Sequence, residues 1–301
     1  MKKIMMIALL MVVAITGAKA QLLYKISGKD LKQPSYIVGT YHLAPVSFVD
    51  SIPGLRAAMT ETQQVCGELD MSDMMSPDNI QKMMKAMMLP EGKTLKDYLT
   101  VEEMDKLNQL MKSMIGMDLT NPILEQQMGK MTPSAINTQL AVLMYMKHTP
   151  GFDPTNLFDG YFQKAAKEAN KPVVGLETMD FQIKTLYQGK SLERQKTMLM
   201  CMVNNTAYHE QNLIALTRAF FAKDLAKMWE ITKEKENNSC DSTPEEDAQL
   251  IDNRNIDWLT KLPAIMADKS TLIAVGAGHL PGDKGVLSLL RQAGYTVEAV
   301  K

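Results

Sequence analysis

Two stretches decide how this chain reads. They are Ser35-Tyr36-Ile37-Val38-Gly39-Thr40-Tyr41-His42-Leu43 near the start and Leu272-Ile273-Ala274-Val275-Gly276-Ala277-Gly278-His279-Leu280 near the end. Each is an apolar, β-rich run followed by Gly-x-x-His-Leu. Behind each come a Pro-containing loop, a helical segment with a Leu-Arg pair (Leu55-Arg56, Leu290-Arg291) and another β-rich run. A β–loop–α–β unit thus occurs twice, with a histidine in the same place. The chain has only four histidines in 301 residues, so the match carries information. Loops at the carboxyl ends of parallel strands open into the crevice where α/β proteins bind ligands. Glycine allows a sharp turn or a close approach there. A histidine in that position can offer a neutral imidazole to a metal or exchange protons near pH 7. The echo predicts that His42 and His279 converge on one pocket.

Between the two units the pattern is largely helical. Ser76-Pro77 suits an N-cap and first helical position, Thr100-Val101-Glu102-Glu103 is a capping box, and helices are expected over 133–146, 157–169, 192–235 and 249–261. β-Rich runs also stand at Leu22 to Ile26, Gln64 to Leu69, Val173 to Glu177 and Thr296 to Val300. The fold class expected is α/β: one domain over 21–301 with a mixed-sheet core and a Met-rich helical insertion at about 71–170. Carboxylates that end apolar strands are costly to bury alone. Glu68 and Glu177 both do so, and each either faces a metal, a cation or water, or has a structural role, for Glu68 a helix cap or a salt bridge at a sheet edge. Arg254, in Asn253-Arg254-Asn255 at a helix start, either clamps a substrate carboxylate or oxyanion or sits on an ordinary surface helix.

Met1 to Ala20 has Lys2-Lys3, an apolar run from Ile4 to Ile15, and Ala18-Lys19-Ala20. That is the pattern of a secretory signal peptide. It predicts an exported protein, periplasmic or extracellular, without a stable membrane span once the leader is removed. The hydrophobic fraction of 46% and charged fraction of 22% suit a folded core. Net charge is −1, with no basic stripe, which argues against nucleic acid as a partner. Three cysteines imply at least one free thiol or an intermolecular bridge; Cys66 falls in a predicted buried strand, so Cys201 with Cys240 is the expected disulfide. The chain has 26 methionines, crowded between Met71 and Met146. They read as adaptable packing or a peptide-receptive groove, with soft-metal capture as the lesser alternative.

Other motifs fail. His209-Glu210-Gln211-Asn212-Leu213 begins like a zinc-protease helix but has Leu213 where the second histidine belongs. His209 therefore reads as a packing or surface residue and His148 as a loop residue. Gly276-Ala277-Gly278 lacks the third glycine of a dinucleotide loop at the required spacing.

The opening Leu23-Tyr24-Lys25-Ile26-Ser27-Gly28 and Pro34 to Leu43, the middle Gly175-Leu176-Glu177-Thr178 with Gln182 and Arg254-Asn255, and the close Val275 to Gly282 with Gly294 to Glu298 resemble the TraB/GumN family, which includes the animal Tiki proteins. The resemblance implies a hydrolase fold related to erythromycin esterase and ChaN-type proteins. It also implies, in the Tiki branch, cleavage of peptide bonds near a protein's N-terminus supported by manganese or cobalt; the cofactor expected here is a divalent metal ion, manganese, cobalt or zinc. By motif match His42, His279 and Glu68 become the metal set. Glu68, Glu177, Arg254 and Asn255 become the catalytic and supporting set. The function expected is an exported metal-dependent peptidase acting on a peptide or protein. The alternatives are a non-catalytic binder of peptide or haem in the same crevice, and an esterase acting on a small molecule.

Overall fold

The computed structural model describes residues 21–149, 152–153 and 158–301; the predicted leader lies outside them. Six strands form one sheet: β1 (Leu23–Ser27), β2 (Ser35–Thr40), β3 (Gln64–Gly67), β4 (Val173–Gly175), β5 (Thr271–Gly276) and β6 (Thr296–Ala299). Their spatial order is β4-β3-β5-β2-β1-β6. β4, β3, β5 and β2 run parallel, while β1 is antiparallel to both β2 and β6. The sheet is mixed and the architecture α/β, as the sequence predicts.

β2 and β5, the first strands of the two echoing units, are neighbours, with Thr40 opposite Gly276. Both are buried almost throughout, which is why they read as continuous apolar runs instead of alternating ones. The units interleave rather than pack as separate halves: β5 lies between β2 and β3, and β1 and β2 lie between β5 and β6. Gly39 shows what this contact demands. A Cβ there would stand 3.1 Å from Ala277 Cα and 2.9 Å from Leu280 Cδ1, so the second unit's turn packs where the first unit has no side chain.

The core of the sheet includes Phe158, Phe162 and Ala166, one face of the helix Phe158–Glu168. That helix belongs to the sheet, not to the insertion. The separate helical core is built from Leu107, Met111, Leu140 and Met144 together with Leu199 and Met200 of the helix Leu192–Asn204. The helical layer therefore draws on residues beyond 170. Its buried methionines serve as packing. The expected run over 192–235 is three helices. It breaks after Asn204 and again at Lys223, whose φ of 62° is left-handed, before Asp224 caps the next helix on Lys227 N–H. Cys201 is disulfide-bonded to Cys240, and Cys66 is free and buried in β3. His148 ends the helix Pro133–His148 instead of lying in a loop, because its Nε2 reaches Glu210 at 2.5 Å. Among the described residues, no helix is long and apolar enough to cross a membrane.

Candidate active site

The four parallel strands end side by side, and each leads into one residue that the sequence singles out: His42 after β2, His279 after β5, Glu68 after β3 and Glu177 after β4. His42, Glu68 and His279 line a single cavity of about 1250 Å³. The imidazoles do converge. Arg254 joins that cavity from the helix Asn253–Asp268, whose side chain lies only 5% exposed.

Arg254 organises the site. Its Nε donates to Glu177 Oε1 at 2.7 Å and its Nη2 to Glu177 Oε2 at 2.9 Å and Glu68 Oε2 at 2.6 Å. Its Nη1 donates to Leu250 O at 3.2 Å and His279 Nε2 at 3.1 Å. A guanidinium has five N–H donors, and five bonds within the chain engage them. Arg254 thus positions neighbours and has no donor left for a substrate carboxylate. Glu177, 1% exposed, also accepts from Trp258 Nε1 at 2.8 Å and Gln182 Nε2 at 3.0 Å. It is a structural anchor, and its charge is compensated by Arg254.

His279 is held on both nitrogens. Asn255 Nδ2 donates to the carbonyls of His279 and Lys284, so its Oδ1 faces His279 Nδ1, 2.7 Å away. Nδ1 therefore carries the proton and Nε2 accepts from Arg254. Burial pushes this imidazole down to about 4; Glu68 pulls the other way and Arg254 adds to the fall. The neutral ring lies against Trp258, with centroids 4.3 Å apart.

His42 is the opposite case. Its Nδ1 lies 2.8 Å from Asp159 Oδ2, and the side chain is 76% exposed within the cavity. The hydrogen bond to Asp159 and that carboxylate's charge raise it to about 9, so it is an imidazolium at neutral pH, and among the described residues its Nε2–H has no hydrogen-bond partner. Glu68 Oε1 accepts the Gly276 N–H at 2.8 Å. Burial works against its charge, but His279, Arg254 and that N–H bring its carboxyl below the usual range. A Cβ on Gly276 would stand 3.2 Å from Glu68 Oε1, so the second motif's glycine makes room for the carboxylate.

Two imidazoles and a carboxylate are donor types that divalent ions take. Each imidazole is oriented through Nδ1, by Asp159 and by Asn255, as metal-bound histidines are, and Glu68 adds a carboxylate. Among the described residues, however, no three His, Cys, Asp or Glu side chains are gathered around one point. Arg254 Nη1 takes the His279 lone pair, and an ion would have to displace it. His209, half-buried with its pKa lowered by burial, belongs to packing away from this cavity.

Asp159 and Trp258 escaped the sequence reading. A carboxylate in the first turn of a helix has an ordinary electrostatic reason to be there, and nothing marks it as the partner of a histidine 117 residues away.

The fold and site define an α/β protein with paired titratable groups in a cavity at the carboxyl edge of its parallel strands. Residues 22–299 match the model of the TraB/PrgY/gumN family, and the chain belongs to that family. Comparisons with curated proteins and with solved structures give no match.

Proposed function

We propose that this chain is an exported hydrolase that cleaves peptides in the cavity, with Glu68 as base and His42 as acid. One observation carries the reading: an imidazolium buttressed by Asp159 and an ionised carboxylate held by Gly276 N–H face one cavity with apolar walls. Glu68 would take a proton from the water that attacks the scissile carbonyl. His42 Nε2–H would protonate the departing amine, so that water's oxygen ends on the acyl group and the new N–H on the amine. Asp159 holds the His42 ring and favours its charged form. Arg254 and Gln182 fix Glu68. Export is supported by the leader sequence and by the Cys201–Cys240 disulfide, which suits an oxidising compartment.

A metal-dependent form of the same reaction has its own support in the Nδ1 anchoring of both imidazoles. His42 Nε2, His279 Nε2 and Glu68 would hold manganese, cobalt or zinc. When bound, the ion would polarise the carbonyl and lower the pKa of water. His42 would first lose its proton and Arg254 would release His279.

The test is to incubate the purified chain with a peptide mixture, with and without chelator or added metal, and read new N-termini by mass spectrometry. Wild type is expected to generate them, and His42→Gln and Glu68→Gln are expected to lose roughly a hundredfold or more in rate. Peptide bound but uncut would replace hydrolysis with capture, and a Soret band on the purified protein would favour haem.

A further inference from the structure

Two short π-helical turns, Lys184–Gln188 and Ala248–Asp252, lie against one another. A Cβ on Gly189, just after the first, would stand 2.8 Å from Gln249 Nε2 in the second. Such turns are rare and are less stable than α-helix, and they recur where a protein must aim a side chain. Leu186 stands in the first turn and Leu250 in the second. They are 44% and 41% exposed, and both stand in the wall of the catalytic cavity. Ile251 continues that wall, and the exposed Met75 is another apolar side chain in the cavity lining.

Each turn is joined directly to the catalytic network. The first follows the helix Met179–Ile183, which supplies Gln182 to Glu68 and Glu177. In the second, the Leu250 carbonyl accepts from Arg254 Nη1. Leu186, Leu250, Ile251 and Met75 line the same cavity as the ionic groups, and a contiguous apolar lining of this kind marks a surface that a ligand covers. The continuity of this wall with the site sets the occupant. Of the charged lining residues, His42 pairs with Asp159 and Arg254 with Glu68, while Lys164 and Glu168 belong to the helix Phe158–Glu168 and not to the two turns.

Building on the proposed peptide hydrolysis, we infer that Leu186 and Leu250 form a specificity subsite for a branched aliphatic side chain of the peptide, next to the bond that is cut. The subsite selects leucine-like residues and rejects charged ones, because a charge seated against Leu186 and Leu250 would be desolvated by side chains that offer it no hydrogen bond. Occupancy also bears on the turn whose carbonyl holds Arg254, which places this contact one bond from the groups that fix Glu68.

The probes are two fluorescein-labelled peptides of the same length, differing by leucine or aspartate at a single position. Binding is read by anisotropy and cleavage by mass spectrometry on the full chain. Wild type is expected to favour the leucine peptide roughly tenfold or more. Leu186→Asp is expected to abolish that preference and to raise KM with kcat little changed, while Leu186→Met retains it. Equal affinity of wild type for both peptides would overturn the subsite, as would an unchanged preference in a folded Leu186→Asp protein. Leucine-selective binding without cleavage would instead overturn hydrolysis and keep the subsite. Cleavage without leucine preference would do the reverse. Leu250→Ala gives a second reading should Leu186→Asp not fold.

Discussion

His42 Nδ1 and Asp159 Oδ2 lie 2.8 Å apart, although 117 residues separate them in the chain. This contact sets the charge of His42, whose side chain stands exposed in the cavity. Removing the carboxylate while keeping its shape isolates that role. In Asp159→Asn, His42 is expected to titrate near the ordinary histidine value of about 6.5 instead of about 9. The His42 ring protons followed by NMR across pH check this. An unmoved titration would mean that Asp159 does not set the charge.

The rate itself then has a diagnostic shape. If His42 is the acid, peptide cleavage holds across neutral pH and falls as pH rises through about 9, where the imidazolium is lost. If His42 is a metal ligand, its proton competes with the ion, and metal-supported activity climbs toward that pH. A pH–rate profile with and without added manganese separates the two.

Much of this site could be read from the chain, because the two Gly-x-x-His-Leu stretches follow the two strands that turn out to be neighbours in the sheet. Adjacency of β2 and β5 brings His42 and His279 to one edge, and Glu68 and Glu177 end the next two strands along. What could not be read was who pairs with whom. Arg254, at a helix start, reads as a substrate clamp or a surface residue, yet all of its donors bond within the chain, a consequence of helix placement against the sheet that no local pattern encodes. Asp159 and the π turns are legible only in three dimensions, since their role comes from long-range packing.

Arg254 compensates two carboxylates, one of them fully enclosed. Arg254→Met is therefore expected to strand Glu177 and to destabilise the fold by about 3–5 kcal/mol. Adding Glu177→Gln should recover part of that loss, since it removes the uncompensated charge. Chemical denaturation of both variants reads this directly. Equal stabilities for single and double variants would show that the charge is not what costs. Arg254→Lys is expected to be a poor substitute, because an ammonium cannot span Glu68, Glu177 and His279 with a planar fork.

The Cys201–Cys240 disulfide spans 39 residues of sequence. Opening it is expected to cost about 2–4 kcal/mol of stability. Reductant should raise the intact mass by two hydrogens. Cys66 should resist alkylation while the chain is folded, since it is buried and its thiol is pushed up to about 12. Alkylation of Cys66 in the native protein would place it at an accessible surface instead.

His279 gives the stability a pH dependence of definite sign. Its folded pKa, about 4, lies below the value of about 6.5 that an unfolded histidine shows. Between those values the unfolded chain binds a proton that the folded chain refuses. The contribution is therefore full above about 6.5 and is lost as pH falls toward about 4. His42, raised to about 9, acts in the opposite sense: its contribution is full below about 6.5 and is lost as pH rises toward about 9. The two windows do not overlap, so each can be tested alone. His279→Gln keeps a donor and an acceptor but cannot take up the proton. It should lower stability at neutral pH and flatten the slope of stability against pH between about 4 and 6.5, measured by urea denaturation. A slope as steep as that of wild type would mean that another group, not the ring between Asn255 and Arg254, refuses the proton.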